Sequence, residues 1–512
     1  MNGGMKSRRF ILVLGLIASL SFSGCGGGGS ATTAATYTVG VTVSGFSGAD
    51  FVLQNNGGDD LLINGNGSFT FDKPVVGGGS YRVTVLKQPP SQHCPITNGS
   101  GTIGANVTDV QVACVSNLQA LYAFGNAPDG IYPAGNLVFD GSGNLYGATS
   151  QGGIYGAGIA YKLTPENGQW TETVLYSFCQ QTGCQDGSSP SSLVVDGAGN
   201  LYGTSYSGGA YGRGIVFELT PTQNGTWTET ILHSFGNGAD GYGPAGGLVF
   251  DKAGNLYGTS SGGSGTASPN CPTGCGTVFE LFPGSNGQWT ENILYNFCSQ
   301  GDCVDGSGPR GGLLLDAKGN LFGTTFSGGV PDNHNDGTVF ELSPSGNGQW
   351  THTVLYMFQS SLYDASMPNG NLIQDKSGNL YGTAPSGGST NGNSGVVFKL
   401  TQGTQGQWTE SILYQFCSVA GCLDGGIPYA GLTIDQAGNL NGTTTYGGVD
   451  WGVVFELTPG ASTASVLYTF PGGVGGSGPG PGSGVILDSE GNLYGVAGGG
   501  TYGNGIVFEV IR

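Results

Sequence analysis

The pattern D-x-x-G-N-L-(Y/F/N)-G occurs seven times in this chain. Its aspartates are Asp140, Asp196, Asp251, Asp316, Asp375, Asp435 and Asp488. The copies lie 53 to 65 residues apart, and a glycine follows eight residues after each motif asparagine. Self-similarity at such a period marks a unit that buries its apolar face against its neighbours. A β-helix would need a far shorter period.

Each copy carries four extended segments; in the third copy these are residues 247–251, 255–259, 277–281 and 289–297. They are rich in β-branched and aromatic residues and bounded by Gly, Pro, Asn or Asp. None sustains a helical period. The fold expected over residues 116–512 is all-β, a seven-bladed β-propeller with four strands per blade. The fourth-strand motif L-(Y/H)-x-F also recurs seven times, and its first copy, at Leu121, precedes the first aspartate. The last copy stops after its third segment, 506–510. The N-terminal strand is therefore expected to complete the last blade and pair an edge otherwise left open.

Composition agrees. The chain has 103 glycines in 512 residues, and much of that glycine recurs as turn chemistry in every copy. Aromatics make up 10% and charged residues only 9%, the reverse of a disordered acidic chain. The net charge of -19 excludes a nucleic-acid partner and electrostatic attachment to anionic lipid.

The recurring D-x-x-G-N-L-Y-G-T, G-x-V-F-x-L and V-L-Y-x-F resemble the bacterial choice-of-anchor tandem-repeat family called GloVer, over about residues 117–512. The resemblance implies an exported, surface-attached repeat protein and carries no catalytic residues over.

The N-terminus reads as a lipoprotein-type signal over 1–24. Lys6, Arg8 and Arg9 precede an apolar run, 10–22, and Ser23-Gly24 lead to Cys25, the expected lipidated residue. Residues 25–36 form a Gly/Ser-rich tether. Residues 37–115 alternate as a small Ig-like β-sandwich of about seven strands. Beyond Cys25, ten cysteines fall into local pairs read as disulfides: Cys94–Cys114, Cys179–Cys184, Cys271–Cys275, Cys298–Cys303 and Cys417–Cys422.

Candidate site residues cluster in loops. A D-G-x-x-P motif, with Ala365 in place of one glycine, gives Asp129, Asp186, Asp240, Asp305, Asp364 and Asp424. These carboxylates are expected on one propeller face, where they would attract a cation or a basic partner; a ring of solvated turn caps is the simpler reading. Trp451 breaks the repeat and joins that candidate face. Five other tryptophans recur at the start of the fourth strand, which fits packing between blades. Asp332, His334 and Asp336 form a metal candidate in an oxygen-rich insertion, where a solvated loop is the simpler reading. No cofactor is required, and calcium is the one ion the loops invite. A single carboxylate per D-x-x-G-N turn is too few ligands for a calcium ring.

The function expected is a monomeric, lipid-anchored or secreted surface protein that binds an extracellular polymer or an envelope partner. One alternative is a propeller enzyme acting on glycans or lactones, which calls for a deep central pocket of acids and amides. The other is a purely structural envelope protein.

Overall fold

A computed structural model describes residues 34–512, apart from 49–50, 90, 239, 264–270, 272–273, 285–286, 331–335, 360–363, 389–392, 449–450 and 471–482. The signal, most of the tether and Cys25 lie outside the described residues. The described chain is all-β; its helical elements are two three-residue 3-10 turns, Gly301–Cys303 and Ala420–Cys422.

Residues 36–116 build two four-stranded sheets and two short ribbons. The sheets share one core of Val39, Val41, Phe51, Leu53, Val110 and Val112. Val39–Ser44 and Val107–Ala113 run parallel, which short hairpin connections cannot produce. The two sheets hold eight strands rather than about seven. The Cys94–Cys114 disulfide forms as expected. It joins the chain just before Ile96–Thr97 to the chain just after Val107–Ala113, and those two strands pair directly.

Beyond residue 116 the described strands form seven antiparallel sheets of four or five strands, with one further two-stranded ribbon. The first contains Gly130–Phe139, Leu145–Gly152, Ile159–Glu166 and Gln169–Ser177, paired in chain order. The last takes three strands from the chain's end and a fourth from before the first copy: Leu118–Ala123 lies against Ile506–Val510.

Sequence explains the burial of each strand. Second strands such as Leu201–Ser207 are buried over five successive residues, because neighbouring sheets cover both faces. Fourth strands such as Trp227–Ser234 alternate exposed and partly covered positions, as an edge with one wet face does. Apolar cores are shared between consecutive sheets. Tyr146 of the first packs with Phe217 of the second, and Tyr202 of the second packs with Phe279 of the third. The last sheet's Tyr494 and Val507 pack with Leu145 and Tyr161 of the first. The repeating tryptophans belong to these joints: Trp227 sits edge-on to Tyr146 of the preceding sheet at 6.4 Å. Trp289 meets Tyr202 at 6.1 Å in the same way.

The first strands converge backbone to backbone. A Cβ on Gly246 would lie 2.5 Å from Gly311 O, and one on Gly311 would lie 2.8 Å from Gly370 O. Asn136 Oδ1 accepts Gly484 N at 2.8 Å, and Ser192 Oγ accepts Asn136 N at 3.0 Å. Glycine, serine and asparagine stand at this convergence because nothing larger fits there.

Candidate functional site

The D-x-x-G-N turn is a clasp in all seven copies. Asp140 Oδ1 accepts Ser142 N at 2.8 Å and Asn144 N at 2.9 Å, while Oδ2 accepts Asn144 Nδ2 at 2.7 Å. Burial alone would push the Asp140 carboxyl up, but these hydrogen bonds hold it below its ordinary value.

The loops after the fourth strand and those between second and third strands meet at one end of the sheets. Gly209 N donates to Cys184 O at 3.0 Å, and Gly448 N to Cys422 O at 2.8 Å. The four loop disulfides form as paired in the sequence.

The D-G-x-x-P aspartates are placed differently from the expectation. Asp186, Asp240, Asp305, Asp364 and Asp424 are buried, and Asp129 is partly covered. They are neither a displayed ligand face nor solvated caps. Each accepts hydrogen bonds from within the fold. Asp186 accepts Tyr176 Oη at 3.1 Å and Gln180 N at 2.9 Å. Asp424 accepts Tyr414 Oη at 2.8 Å and Ser418 N at 2.9 Å. Asp129 accepts Tyr122 Oη at 2.9 Å and Gly125 N at 2.6 Å. The tyrosine is that of L-Y-x-F in the preceding sheet, so each aspartate pins a joint between sheets.

The fourth strand of the next sheet brings a second acid to the same place. Burial, and then the nearby Asp129 charge, push the Glu172 carboxyl up to about 7. Burial and Asp186 push Glu229 up to about 8, and burial and Asp240 do the same for Glu291. Burial and Asp364 also raise Glu410. In the fourth sheet His352 takes the glutamate's position and stacks on Tyr295 at 4.0 Å. Burial pulls its imidazole down to about 4. The glutamates of W-T-E were visible in the sequence, but nothing there indicated which aspartate each one meets.

Among the remaining predicted residues, Trp451 is exposed. Asp336 is buried and accepts Ser366 Oγ at 2.7 Å, while Asp332 and His334 lie outside the described residues. Among its described residues the loop end displays aromatic side chains. Tyr155, Tyr211, Trp451 and Tyr502, all between second and third strands, are 43% to 61% exposed. Tyr206 and Tyr446 are exposed beside them. A cavity of about 570 Å³ is lined by Tyr206, Tyr242, Ser307, Arg310, Phe326 and Asn369. Arg310 lies over the Phe326 ring at 3.7 Å, and Arg213 over Tyr242 at 5.0 Å. At the convergence of the first strands, by contrast, the described residues offer small side chains and backbone in contact, not an acidic cradle.

Three solved structures resemble the chain. A putative oxidoreductase (glucose dehydrogenase) from Thermus thermophilus is 17% identical, with TM-score 0.37 over 66% of this chain and 99% of its own. A putative 6-phosphogluconolactonase from Bacteroides uniformis is 15% identical, with TM-score 0.43 over 69% of this chain and 87% of its own. A protein of unknown function from Dyadobacter fermentans is 10% identical, with TM-score 0.38 over 77% of this chain and all of its own, 100%. No curated protein matches the sequence. The Gloeobacter/Verrucomicrobia repeat matches residues 85–268 and 264–508, beginning inside the segment read as the sandwich. With most of its length matched, the chain belongs to the Gloeobacter/Verrucomicrobia repeat family.

Proposed function

We propose that the seven sheets close into a seven-bladed propeller, and that the protein is exported, anchored through a lipidated Cys25, and binds an extracellular polysaccharide with the loop end of the ring. The five disulfides fit an oxidising compartment.

The exposed aromatic row carries the binding reading. Tyr155, Tyr211, Trp451 and Tyr502 occupy equivalent loops of the first, second, sixth and seventh sheets. Those sheets are consecutive around a closed ring, so the four form one arc. Aromatic rings held at solvent, with few charges beside them, present the flat apolar faces on which pyranose rings stack. The cavity at Tyr206 and Arg310 extends the surface with hydrogen-bond donors. Burial withdraws the D-G-x-x-P aspartates from display to a calcium ion or a basic partner, which favours stacking over charge.

Binding of the full chain to a panel of immobilised polysaccharides tests this. Replacing all four arc aromatics by alanine is expected to weaken retention by at least about tenfold, since stacked aromatics contribute ~1 kcal/mol or more each where they bind. Melting should move little, because about half of each side chain already faces solvent. Equal retention by the quadruple variant would refute the reading.

A further inference from the structure

One joint between sheets differs from the others in a single residue. The L-Y-x-F tyrosine is replaced by His233 at the end of the second sheet, whereas Tyr122, Tyr176, Tyr295, Tyr356, Tyr414 and Tyr468 keep it. The replacement brings an imidazole to a pair of carboxylates. His233 Nε2 lies 3.2 Å from Asp240 Oδ2 and 3.6 Å from Glu291 Oε1. All three ligand atoms fall within 4.8 Å of one another. We propose that His233, Asp240 and Glu291 form a binding site for a divalent ion of the zinc class, which staples the second sheet to the third.

The spacing suits such an ion. Tetrahedral ligands at ~2.0–2.1 Å from zinc stand roughly 3.4 Å apart, close to the two distances found. Glu291 Oε1 is buried and has no hydrogen-bond partner. Glu172 and Glu229 leave the same oxygen unpartnered in their own joints, so the acid pair is a general feature. Only the imidazole turns it into a three-ligand set, because a tyrosine hydroxyl donates its proton to the aspartate instead. The ligands are held from behind. Asp240 accepts Gly236 N at 3.1 Å and Asn237 N at 3.2 Å, and Phe235 fixes the imidazole edge-on at 4.7 Å. The side chains of His233 and Glu291 keep 19% and 11% of their exposure, enough for an ion to enter and for a water to complete the shell. One nitrogen and two carboxylates suit zinc. Calcium takes six to eight oxygens. The three ligands come from two sheets and the segment between them, so a bound ion would act on stability.

The test uses the full chain stripped with EDTA, zinc titration by calorimetry, and melting with and without zinc. The expected result is one zinc per chain and a raised melting temperature. His233→Tyr restores the residue that the other joints carry, so it should fold, melt near the metal-free parent, and lose both the heat and the shift. Glu291→Gln supplies the same test should the tyrosine variant fail to fold. Cobalt(II) should give a tetrahedral visible spectrum with the parent and none with either variant. Absence of zinc binding to the parent, or unchanged stoichiometry and affinity in the variants, overturns the proposal.

Discussion

Gly214 shows how one residue holds two sheets together. It sits at φ +104°, where a side chain is strained, and a Cβ would lie 2.5 Å from Ser205 O and 2.7 Å from Pro244 Cδ. Pro244 belongs to the D-G-x-x-P segment of the next repeat. Gly276 meets Pro309 and Gly395 meets Pro428 in the same way, and Gly505 of the last repeat meets Pro133 of the first. Gly214→Ala is expected to cost about 1–3 kcal/mol for the backbone alone, with overpacking against Pro244 in addition. Urea unfolding should show the lowered midpoint, and an unchanged midpoint would contradict the joint. Both residue types are plain in the sequence. Their contact was not legible, because identical copies do not reveal which copy touches which. Arg512 is a second such case. The sixth repeat has Asn441 where five others have tyrosine. Arg512, just beyond the last strand, fills the gap with Nη1 3.1 Å from Asp435 and Nη2 2.6 Å from Glu456.

Between elements, the buried acid pairs set how stability depends on pH. In the folded chain Glu229 holds its proton up to about pH 8, and Glu172 up to about pH 7. The unfolded chain releases them near the ordinary glutamate value of about 4.3. The folded state thus binds more protons across that window, and stability falls as pH rises through it. The D-x-x-G-N aspartates act in the opposite sense at lower pH. Asp140, Asp375, Asp435 and Asp488 are held below their ordinary value, so their contribution is lost as pH drops through the folded pKa. Melting temperature should therefore peak near pH 5 and decline towards pH 9. Glu229→Gln, which keeps the shape without the ionisation, should flatten the alkaline decline. A melting temperature constant from pH 5 to 9 in the parent would refute the acid pairs. The strands and the D-x-x-G-N clasp were legible in the sequence because they are local, set by alternation and by a side chain bonding two and four residues on. The acid pairs were not. Aspartate before glycine reads as an exposed turn, and only the next sheet's fourth strand covers it.

For the whole molecule, the decisive pairing is the one between the two ends of the repeat array. Leu118–Ala123 covers the edge of Ile506–Val510, and Leu121 and Phe124 are buried in the core that joins the last sheet to the first. The offset between strand motifs and clasp motifs made this pairing legible, since it left one fourth strand too many at the start and one too few at the end. The small residues where the first strands meet had no such signal, because their neighbours are other copies of themselves. The N-terminal unit also touches the array beside this strand, where Thr469 N donates to Ser91 Oγ at 3.0 Å. Two chains separate the strand's contribution from that of the unit before it, one comprising residues 117–512 and the other 126–512. If the array closes as proposed, the longer chain should stay monomeric and melt in one transition. The shorter one should expose the 506–510 edge, lose cooperativity and self-associate through it. An open stack of sheets would lose little from the same deletion, since only its outermost strand would be gone. Light scattering and melting of the pair therefore distinguish a ring from a stack, and equal behaviour of the two chains would favour the stack.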